Sequence, residues 1–268
     1  MKSKKYVWLS DTHLNMSLLP FMKRRFIGKL KTIDSDGLIL TGDISNGLML
    51  ESDLKYLSDH YDGQIYFVLG NHDYYWRHRD SVESDVRRLC SKHKNLVWLS
   101  DVDFVPISKD AALVGDEGWY DAMVGDPDLT WWNIDRLINL DFFGISTHIQ
   151  QVCAWRERAK RSAMILGRKI KSALEEYETV YLATHFPPWP EATRSDWKLI
   201  EDFWLPYNTN VALGQEIEKI MKDRPERLVV LSGHTHLACE LSVSKNITCK
   251  VAPASYWGRV GPEELIVL

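Results

Sequence analysis

The sequence predicts an α/β protein whose strands run mainly parallel, and two observations support this prediction. Five short apolar runs are rich in β-branched and aromatic residues and lack helical periodicity, as buried strands do. These runs are residues 4–10, 37–42, 64–70, 179–184 and 227–233. Segments of helical periodicity alternate with them, at residues 20–33, 49–60, 77–91, 148–177 and 209–222. Such alternation is typical of a parallel sheet that helices cover.

The remaining segments predict further strands and one long excursion. We expect two extra strand pairs at 95–114 and 237–251 and a closing strand at 264–268. No internal repeat or linker is visible, so we expect a single domain over residues 1–268. The stretch 115–147 mixes Gly, Asp and Trp with a short amphipathic piece, and we interpret it as an excursion over one rim of the sheet. A long loop within a compact domain often has a function.

The helix expected near residues 152–174 has one apolar stripe and a basic remainder. The stripe consists of Val152, Trp155, Ala159, Ala163, Leu166, Ile170 and Leu174. The remaining positions carry Arg156, Arg158, Lys160, Arg161, Arg168, Lys169 and Lys171. The pattern favours a helix docked on the core with a solvated cationic face. The alternative is a phosphate-rich ligand that runs along that face.

Composition bounds the class of protein. Hydrophobic residues make up 45% and charged residues 26%, which is ordinary for a globular protein with a sizeable core. The net charge of -4 argues against a surface built entirely for nucleic acid, although a local basic face remains compatible with it. The four cysteines show no C-x-x-C spacing, so we expect free thiols and a cytoplasmic location. No apolar run approaches the roughly 18 residues of a membrane span, so no membrane partner is expected.

Polar side chains follow every one of the five apolar runs. The sequences "SDTH", "GDIS", "GNHD", "THFPP" and "GHTH" place there Asp11, His13, Asp43, Asn71, His72, Asp73, His185, His234 and His236. The carboxyl ends of parallel strands meet at the edge of the sheet where ligands bind. Burying these groups together without compensation would cost several kcal/mol per charge.

Divalent cations would remove that cost. Carboxylates, an amide oxygen and neutral imidazoles form the mixed nitrogen and oxygen ligand set that suits first-row metals. The candidate ligands are too many for one ion, so the pattern indicates two.

The ordered series D-x-H, G-D, G-N-H-[DE], H and G-H-x-H resembles the calcineurin-like metallophosphoesterase superfamily, and it extends from Asp11 to His236. The resemblance implies a four-layer α-β-β-α sandwich with two mixed β-sheets and a dinuclear metal site at the carboxyl ends of the strands. It also implies a role for each residue. Asp11, His13 and His236 would bind the first metal, and Asn71, His185 and His234 would bind the second. Asp43 would bridge both, and His72 would be the catalytic histidine.

The implied activity is hydrolysis of a phosphodiester or phosphomonoester. Two divalent ions, Mn or Fe before Zn, would activate a hydroxide that attacks phosphorus in line. Asn46 departs from two branches of the superfamily. In "GDISNG" it stands where protein Ser/Thr phosphatases carry Asp and where purple acid phosphatases carry Tyr. The phosphodiesterase, nuclease and small-molecule phosphatase part of the superfamily remains.

Two alternative functions stay open at this point. A nuclease acting on DNA or RNA is favoured only by the basic helix face and by arginines such as Arg77, Arg79, Arg87 and Arg88. A non-catalytic scaffold on the same fold is disfavoured because the expected histidines are all present. The leading hypothesis is a small-molecule or nucleotide phosphoester substrate. Its candidate contacts are Trp119, Trp131 and Arg194, although the tryptophans could equally pack as loop core.

Overall fold

The computed structural model describes residues 4–16, 20–130, 133–193, 203–254 and 265–267. Its strands are β1 (Lys5–Leu9), β2 (Gly37–Thr41), β3 (Gln64–Val68), β4 (Leu96–Trp98), β5 (Val105–Pro106), β6 (Ala111–Gly115), β7 (Thr179–Ala183), β8 (Arg227–Ser232), β9 (Cys239–Ser244), β10 (Ile247–Val251) and β11 (Leu265–Val267). Its α-helices are α1 (Pro20–Thr32), α2 (Leu50–His60), α3 (Arg79–Lys92), α4 (Ile134–Ile138), α5 (His148–Ala173) and α6 (Val211–Met221). The five predicted runs and the five predicted helical segments are therefore confirmed, with differences of a few residues at their ends.

The strands form two mixed sheets. The first has the order β11-β1-β2-β3-β4, in which β1 to β4 are parallel and β11 is antiparallel to β1. The second has the order β5-β6-β7-β8-β10-β9, with a parallel centre of β6, β7, β8 and β10 and an antiparallel strand at each edge. The predicted mainly parallel arrangement is confirmed.

Successive side chains of each strand pack into different layers of the structure. In β1, Val7 and Leu9 pack against the cluster that includes α1, α2 and α3, whereas Tyr6 and Trp8 belong to the cluster between the sheets. In β6, Leu113 joins the same central cluster, while Ala112 and Val114 pack with residues of α5 and α6. Because successive side chains point to opposite faces, each sheet has one face on its helices and one on the other sheet. This is the four-layer α-β-β-α sandwich that the family resemblance implied.

Two of the three additional strand predictions are confirmed, and the third is confirmed in part. Strands β9 and β10 form the hairpin expected at 237–251, and β11 lies within the expected closing strand. The segment 95–114 contains the predicted pair and one strand more. Its first strand, β4, extends the first sheet beside β3, and β5 and β6 pair in the second sheet. The chain crosses between the sheets through a short 3-10 turn at Leu99–Asp101.

Helix α5 confirms the predicted apolar stripe, since all of its members are buried. The prediction of a solvated basic face on α5 is only partly correct. Lys169 is 2% exposed, and its Nζ donates to the carbonyl oxygens of Leu99 (2.7 Å), Ser100 (3.0 Å) and Gly115 (2.9 Å). Burial lowers the pKa of Lys169. Its side chain ties α5 to the crossing between the sheets. No helix in the described ranges is long and apolar enough to cross a membrane.

Candidate metal centre

The loops after β1, β2, β3, β7 and β8 bring the predicted site residues to one end of the sandwich. Potential ligand atoms form three groups in which all atoms lie within 4.8 Å of one another. These groups are Asp11 with His13 and His236, His13 with Asp43 and His72, and Asp11 with Asp43 and His185. Residues separated by more than 200 positions in the chain thus converge, as the parallel topology predicts.

Asp43 lies at the centre of this arrangement. Its Oδ1 is 3.4 Å from His185 Nε2, and its Oδ2 is 3.8 Å from the Nε2 atoms of His13 and His72. Asp11 lies beside it, with Oδ1 3.1 Å from His236 Nε2. The Asp43 carboxylate therefore faces imidazoles on two sides, which is the geometry a bridging ligand needs.

Asn71 and His234 complete the cluster on the His185 side. The Oδ1 of Asn71 is 3.2 Å from His185 Nε2, and the rings of His185 and His234 are 5.1 Å apart. Outer hydrogen bonds orient both rings. His185 Nδ1 lies 2.8 Å from the Thr41 carbonyl oxygen, and His234 Nε2 lies 2.9 Å from that of Tyr207. When these nitrogens donate to the carbonyls, the other nitrogen of each ring is the one available to a metal.

The backbone is unusual at these positions. Asp11, His13, Asp43, His234 and His236 all have positive φ, between 40° and 70°. Non-glycine residues seldom adopt this conformation, which costs of the order of 1–3 kcal/mol and concentrates at functional sites. Five of the eight such residues in the described part of the chain are predicted metal ligands. The sharp turns direct their side chains into a common volume.

Two glycines allow this close approach. A Cβ atom added at Gly70 would overlap the Asp43 carboxylate, and one added at Gly233 would overlap Ser10 Oγ and the Asp11 carboxylate. Each glycine immediately precedes a predicted ligand. Glycine is required at these two strand exits because a carboxylate occupies the space that a Cβ atom would fill, and not only because the chain turns there.

Asp73 holds two of the exit loops together. Its buried carboxylate accepts hydrogen bonds from the backbone N–H groups of Ile44 (3.2 Å), Ser45 (2.8 Å) and Gly70 (2.8 Å). These groups flank Asp43 and Asn71. Sequence reasoning noted Asp73 at a strand exit but assigned it no role.

We expect Asp73→Ala to destabilise the fold strongly. It would leave three buried backbone donors unpaired, at about 1–3 kcal/mol each, so we expect a loss of roughly 3 kcal/mol or more in the free energy of unfolding. Urea denaturation followed by circular dichroism measures it. Asp141→Ala is the control, because that less buried carboxylate lies at the start of α3, where it accepts from Arg79 N (3.1 Å) and lies 3.3 Å from Nδ1 of the exposed His78, and its loss should cost about 1 kcal/mol. Equal losses in the two variants would contradict the assigned role.

The charge state of the cluster suits divalent cations. Burial lowers the pKa of His13 to about 4 and that of His234 to about 3, so both imidazoles are neutral at pH 7. Burial opposes ionisation of Asp11 and Asp43, but the neighbouring histidines outweigh it and hold both pKa values below normal. Burial lowers the pKa of His185, but the Asp43 carboxylate outweighs this effect and raises the pKa to about 9. A cation bound there would replace the proton of His185 as the partner of Asp43.

The donor set fits a pair of metal ions. Asp11 and Asp43 are 0% and 1% exposed, and within the described ranges their ion-pair partners are all histidines. No lysine or arginine described by the structure neutralises these two carboxylates. Two buried carboxylates among imidazoles and one amide oxygen form the kind of donor set that Mn, Fe or Zn ions bind.

His72 is one of the two partly exposed histidines of the cluster. Its side chain is 38% exposed, compared with 35% for His236 and 2% for His13, and its ring lies 4.3 Å from that of Tyr75. Asn46, at the position that carries Asp in the protein phosphatases, has another role. Its Oδ1 accepts from the backbone N–H groups of Leu48 (3.1 Å) and Met49 (3.0 Å) and so stabilises the start of α2.

A cavity of about 480 Å³ opens beside the cluster and includes His72, Tyr75, Trp204, Tyr207, His236 and Leu237 in its lining. Trp204 and Leu237 are 40% and 44% exposed. Sequence reasoning missed both, because neither position carries a signal that separates it from ordinary loop residues. The cavity is large enough for an organic group beside the candidate ligands.

Trp119 does not occupy the exposed position that the expected substrate contact requires. Trp119 is 0% exposed, and its ring packs against Tyr74, Tyr120, Phe142 and Phe186. It is a core residue, and this agrees with the alternative interpretation of the tryptophans. Trp131 and Arg194, the other two candidates, lie outside the described residues.

Comparisons with known proteins give the family and the fold of the chain. The family profile described as calcineurin-like phosphoesterase matches residues 4–238. Phosphopantetheinyl hydrolase from Mycobacterium tuberculosis is a similar solved structure, with a TM-score of 0.57, 15% identity, and coverage of 99% of this chain and 96% of that chain. A dimetal phosphatase from Danio rerio has a TM-score of 0.58, 13% identity, and coverage of 94% and 88%. No curated protein sequence matches significantly. At these identities the structural matches establish the fold alone.

Proposed function

Because the chain belongs to the calcineurin-like phosphoesterase family, we propose that this metal-dependent phosphoesterase acts on a small-molecule or nucleotide phosphoester with two divalent cations. We favour Mn or Fe over Zn. The observation that supports the proposal is the position of the Asp43 carboxylate, which faces His185 with one oxygen and His13 with the other. A single buried carboxylate between two sets of donors is suited to two ions.

The ligands divide between the two ions. Asp11, His13 and His236 would hold the first, Asn71, His185 and His234 would hold the second, and Asp43 would contact both. When bound, such a pair of cations supplies an activated water nucleophile and holds the phosphoryl oxygens for in-line attack. The protein contributes preorganisation, since the buried carboxylates and oriented imidazoles are already in place before substrate arrives.

His72 is placed to assist the leaving group. It is the most exposed histidine of the cluster, and it borders the cavity where the organic part of a substrate would lie. From there its imidazolium would donate a proton to the departing oxygen, which otherwise leaves as an alkoxide. Poor leaving groups depend on this donation more than good ones.

Within this class we propose a preference for diesters. Asp135 lies in the cavity lining, and the described lining residues include no lysine or arginine. A phosphodiester carries one negative charge and a monoester close to two, so a cavity that adds a carboxylate and no fixed cation disfavours the monoester. The exposed Trp204 and Leu237 offer apolar contact to a second ester group.

A nuclease is less well supported than the sequence suggested. Each arginine that favoured it has a carboxylate partner, in the pairs Arg77–Asp85 (2.8 Å), Arg79–Glu117, Arg87–Asp101 (2.9 Å) and Arg88–Glu51 (2.9 Å). Paired arginines attract phosphate backbones weakly. On α5, Arg158 and Lys169 are buried, which reduces the basic face further.

The proposal is tested by metal reconstitution and a substrate panel. Protein stripped with a chelator and reloaded with Mn²⁺ or Fe²⁺ is assayed with bis-p-nitrophenyl phosphate, p-nitrophenyl phosphate, cyclic nucleotides and oligonucleotides. We expect turnover of the diester to exceed that of the monoester at least tenfold. Faster monoester turnover would contradict the diester preference. Activity that survives chelation would contradict the metal mechanism itself.

We also propose a cytoplasmic location. The four cysteines, Cys90, Cys153, Cys239 and Cys249, are all free, and Cys153 is exposed. Exposed free thiols persist where the surroundings are reducing. Detection of the native protein in a cytoplasmic fraction, separated from membrane and exported fractions, tests this location.

A further inference from the structure

Asp135 links the rim segment 115–147 to the candidate metal centre. We propose that Asp135 is a positioning residue that orients the Asn71 amide, so that the amide oxygen faces the second metal. The inference rests on the proposed dinuclear centre. It gives a role to a segment that the strand-exit motifs do not include.

The nitrogen and the oxygen of the Asn71 amide contact different groups. Its Nδ2 donates to Asp135 Oδ1 (3.1 Å) and to Tyr75 Oη (2.8 Å). Its Oδ1 lies on the other side, 3.2 Å from His185 Nε2. The oxygen therefore points toward the ligand cluster and the nitrogen points toward α4.

A carboxylate is needed to fix this orientation. The oxygen and nitrogen of an asparagine amide are nearly equal in size, so shape alone does not distinguish the two flipped states. A tyrosine hydroxyl accepts or donates and does not distinguish them either. A carboxylate that acts as an acceptor admits only the NH₂ side. In the flipped state Asn71 would present its amide hydrogens to a cation and its oxygen to Asp135.

Three side chains converge on the carboxylate of Asp135. Its carboxylate is buried, and Asn71, Tyr75 and Tyr120 all provide hydrogen bonds to it. Asn133 fixes its place in the chain, because Asn133 Oδ1 accepts from Asp135 N (2.7 Å) and Asn133 Nδ2 donates to Tyr120 Oη (3.1 Å). The core aromatic Tyr120 thus anchors the residue that orients a metal ligand.

The same contacts extend to the catalytic histidine. Tyr75 donates to Asp135 and accepts from Asn71, and its ring packs against that of His72. One carboxylate therefore supports the ligand Asn71 directly and the neighbouring His72 through Tyr75. Residues that orient metal ligands from behind commonly contribute 10–100-fold to metal affinity.

The test is metal binding by Asp135→Asn. Isothermal titration with Mn²⁺ should show two sites in the parent protein. In Asp135→Asn we expect the affinity of one site to fall roughly 10–100-fold while the other is retained. Asp121→Asn is the matched control, because Asp121 is also a buried carboxylate of the rim segment, but it accepts from the backbone of Met123 and Ala212. It should bind both ions with parental affinity.

A double variant separates orientation from packing. In Asn71→Asp with Asp135→Asn, the amide and the carboxylate exchange places. The new carboxylate offers an oxygen to the metal in either flip state, and the new amide can donate to it. We expect the double variant to bind the weakened ion more tightly than Asp135→Asn does. Because an added ligand carboxylate strengthens cation binding by itself, the recovery supports orientation only if it exceeds the gain of Asn71→Asp alone over the parent protein.

The outcomes distinguish this inference from the proposed function. A parent protein that binds fewer than two Mn²⁺ ions would contradict the dinuclear centre itself. With two sites in the parent, parental affinity in Asp135→Asn would overturn the positioning role alone. An equal loss in Asp121→Asn, or a double variant no tighter than Asp135→Asn, would also overturn it.

Discussion

Asp43→Asn should abolish the phosphoesterase activity and remove both metal ions from the purified protein. The Asp43 carboxylate faces His185 on one side and His13 on the other. The substitution keeps the shape, and an amide oxygen can still accept from His72 N–H as Oδ1 now does at 2.9 Å. It removes the charge and places an NH₂ group toward the imidazoles. Because one residue serves both ions, we expect both sites to weaken together.

Metal content and thermal shift measure this effect. The parent protein should gain stability when Mn²⁺ is added, by about 2.7 kcal/mol at a concentration 100 times the dissociation constant. Asp43→Asn should show no gain and should contain less metal by elemental analysis. Asp53→Asn is the control, because Asp53 is a buried carboxylate nearby that accepts from Ser45 Oγ (2.6 Å) and pairs with Lys23. Retention of one full equivalent of metal by Asp43→Asn would show that it does not bridge.

The strand exits were predictable because local sequence carries both of the signals that define them. Buried parallel strands are continuous apolar runs, and each such run here is followed by an Asp, Asn or His residue. The topology rule that the carboxyl ends of parallel strands meet at one edge of a sheet then predicts that these side chains converge. It needs no knowledge of the strand order, so Asp11 and His236 could be grouped before their separation in space was known.

The rim segment was not predictable in the same way. Trp119 lies in a stretch rich in Gly and Asp, and such stretches usually remain on the surface. Its burial depends on partners distant in the chain, among them Phe142, Phe186 and Arg158, whose guanidinium lies 3.6 Å from the ring centre. Periodicity reports which face of an element is apolar and not which distant loop will cover it. The place of β4 in the first sheet was not predicted for the same reason, since local alternation does not reveal which sheet a strand joins.

The prediction of solvent exposure for two charged residues of α5 was wrong for a related reason. Arg158 and Lys169 occupy the polar part of the α5 pattern, and that pattern predicts solvent exposure. In the fold, Glu117 lies 3.6 Å from Arg158, and three carbonyl oxygens surround Lys169 Nζ. The burial of each charge is compensated by groups of the rim and crossing segments. The same dependence on tertiary contacts explains why Asp135 could not be recognised from the strand-exit pattern.

His72→Gln should reduce turnover by roughly 10²- to 10⁴-fold while both metal ions stay bound. The loss is expected to be largest for alkyl leaving groups and smallest for p-nitrophenolate, because a good leaving group needs no proton. The family resemblance implies this role for His72, and its partly exposed side chain borders the cavity. The comparison of kcat for two diesters that differ only in the leaving group, together with metal content, measures the effect.

A ligand role for His72 is the competing interpretation, and the distances keep it testable. His72 Nε2 and His13 Nε2 are each 3.8 Å from Asp43 Oδ2, so both imidazoles could contact the same cation. If His72 were a ligand, His72→Gln would lose metal as His13→Gln does, and its turnover would fall equally for good and poor leaving groups. If it is the proton donor, only His13→Gln loses metal. His78→Gln, an exposed histidine paired with Asp141 at the start of α3, should change neither quantity.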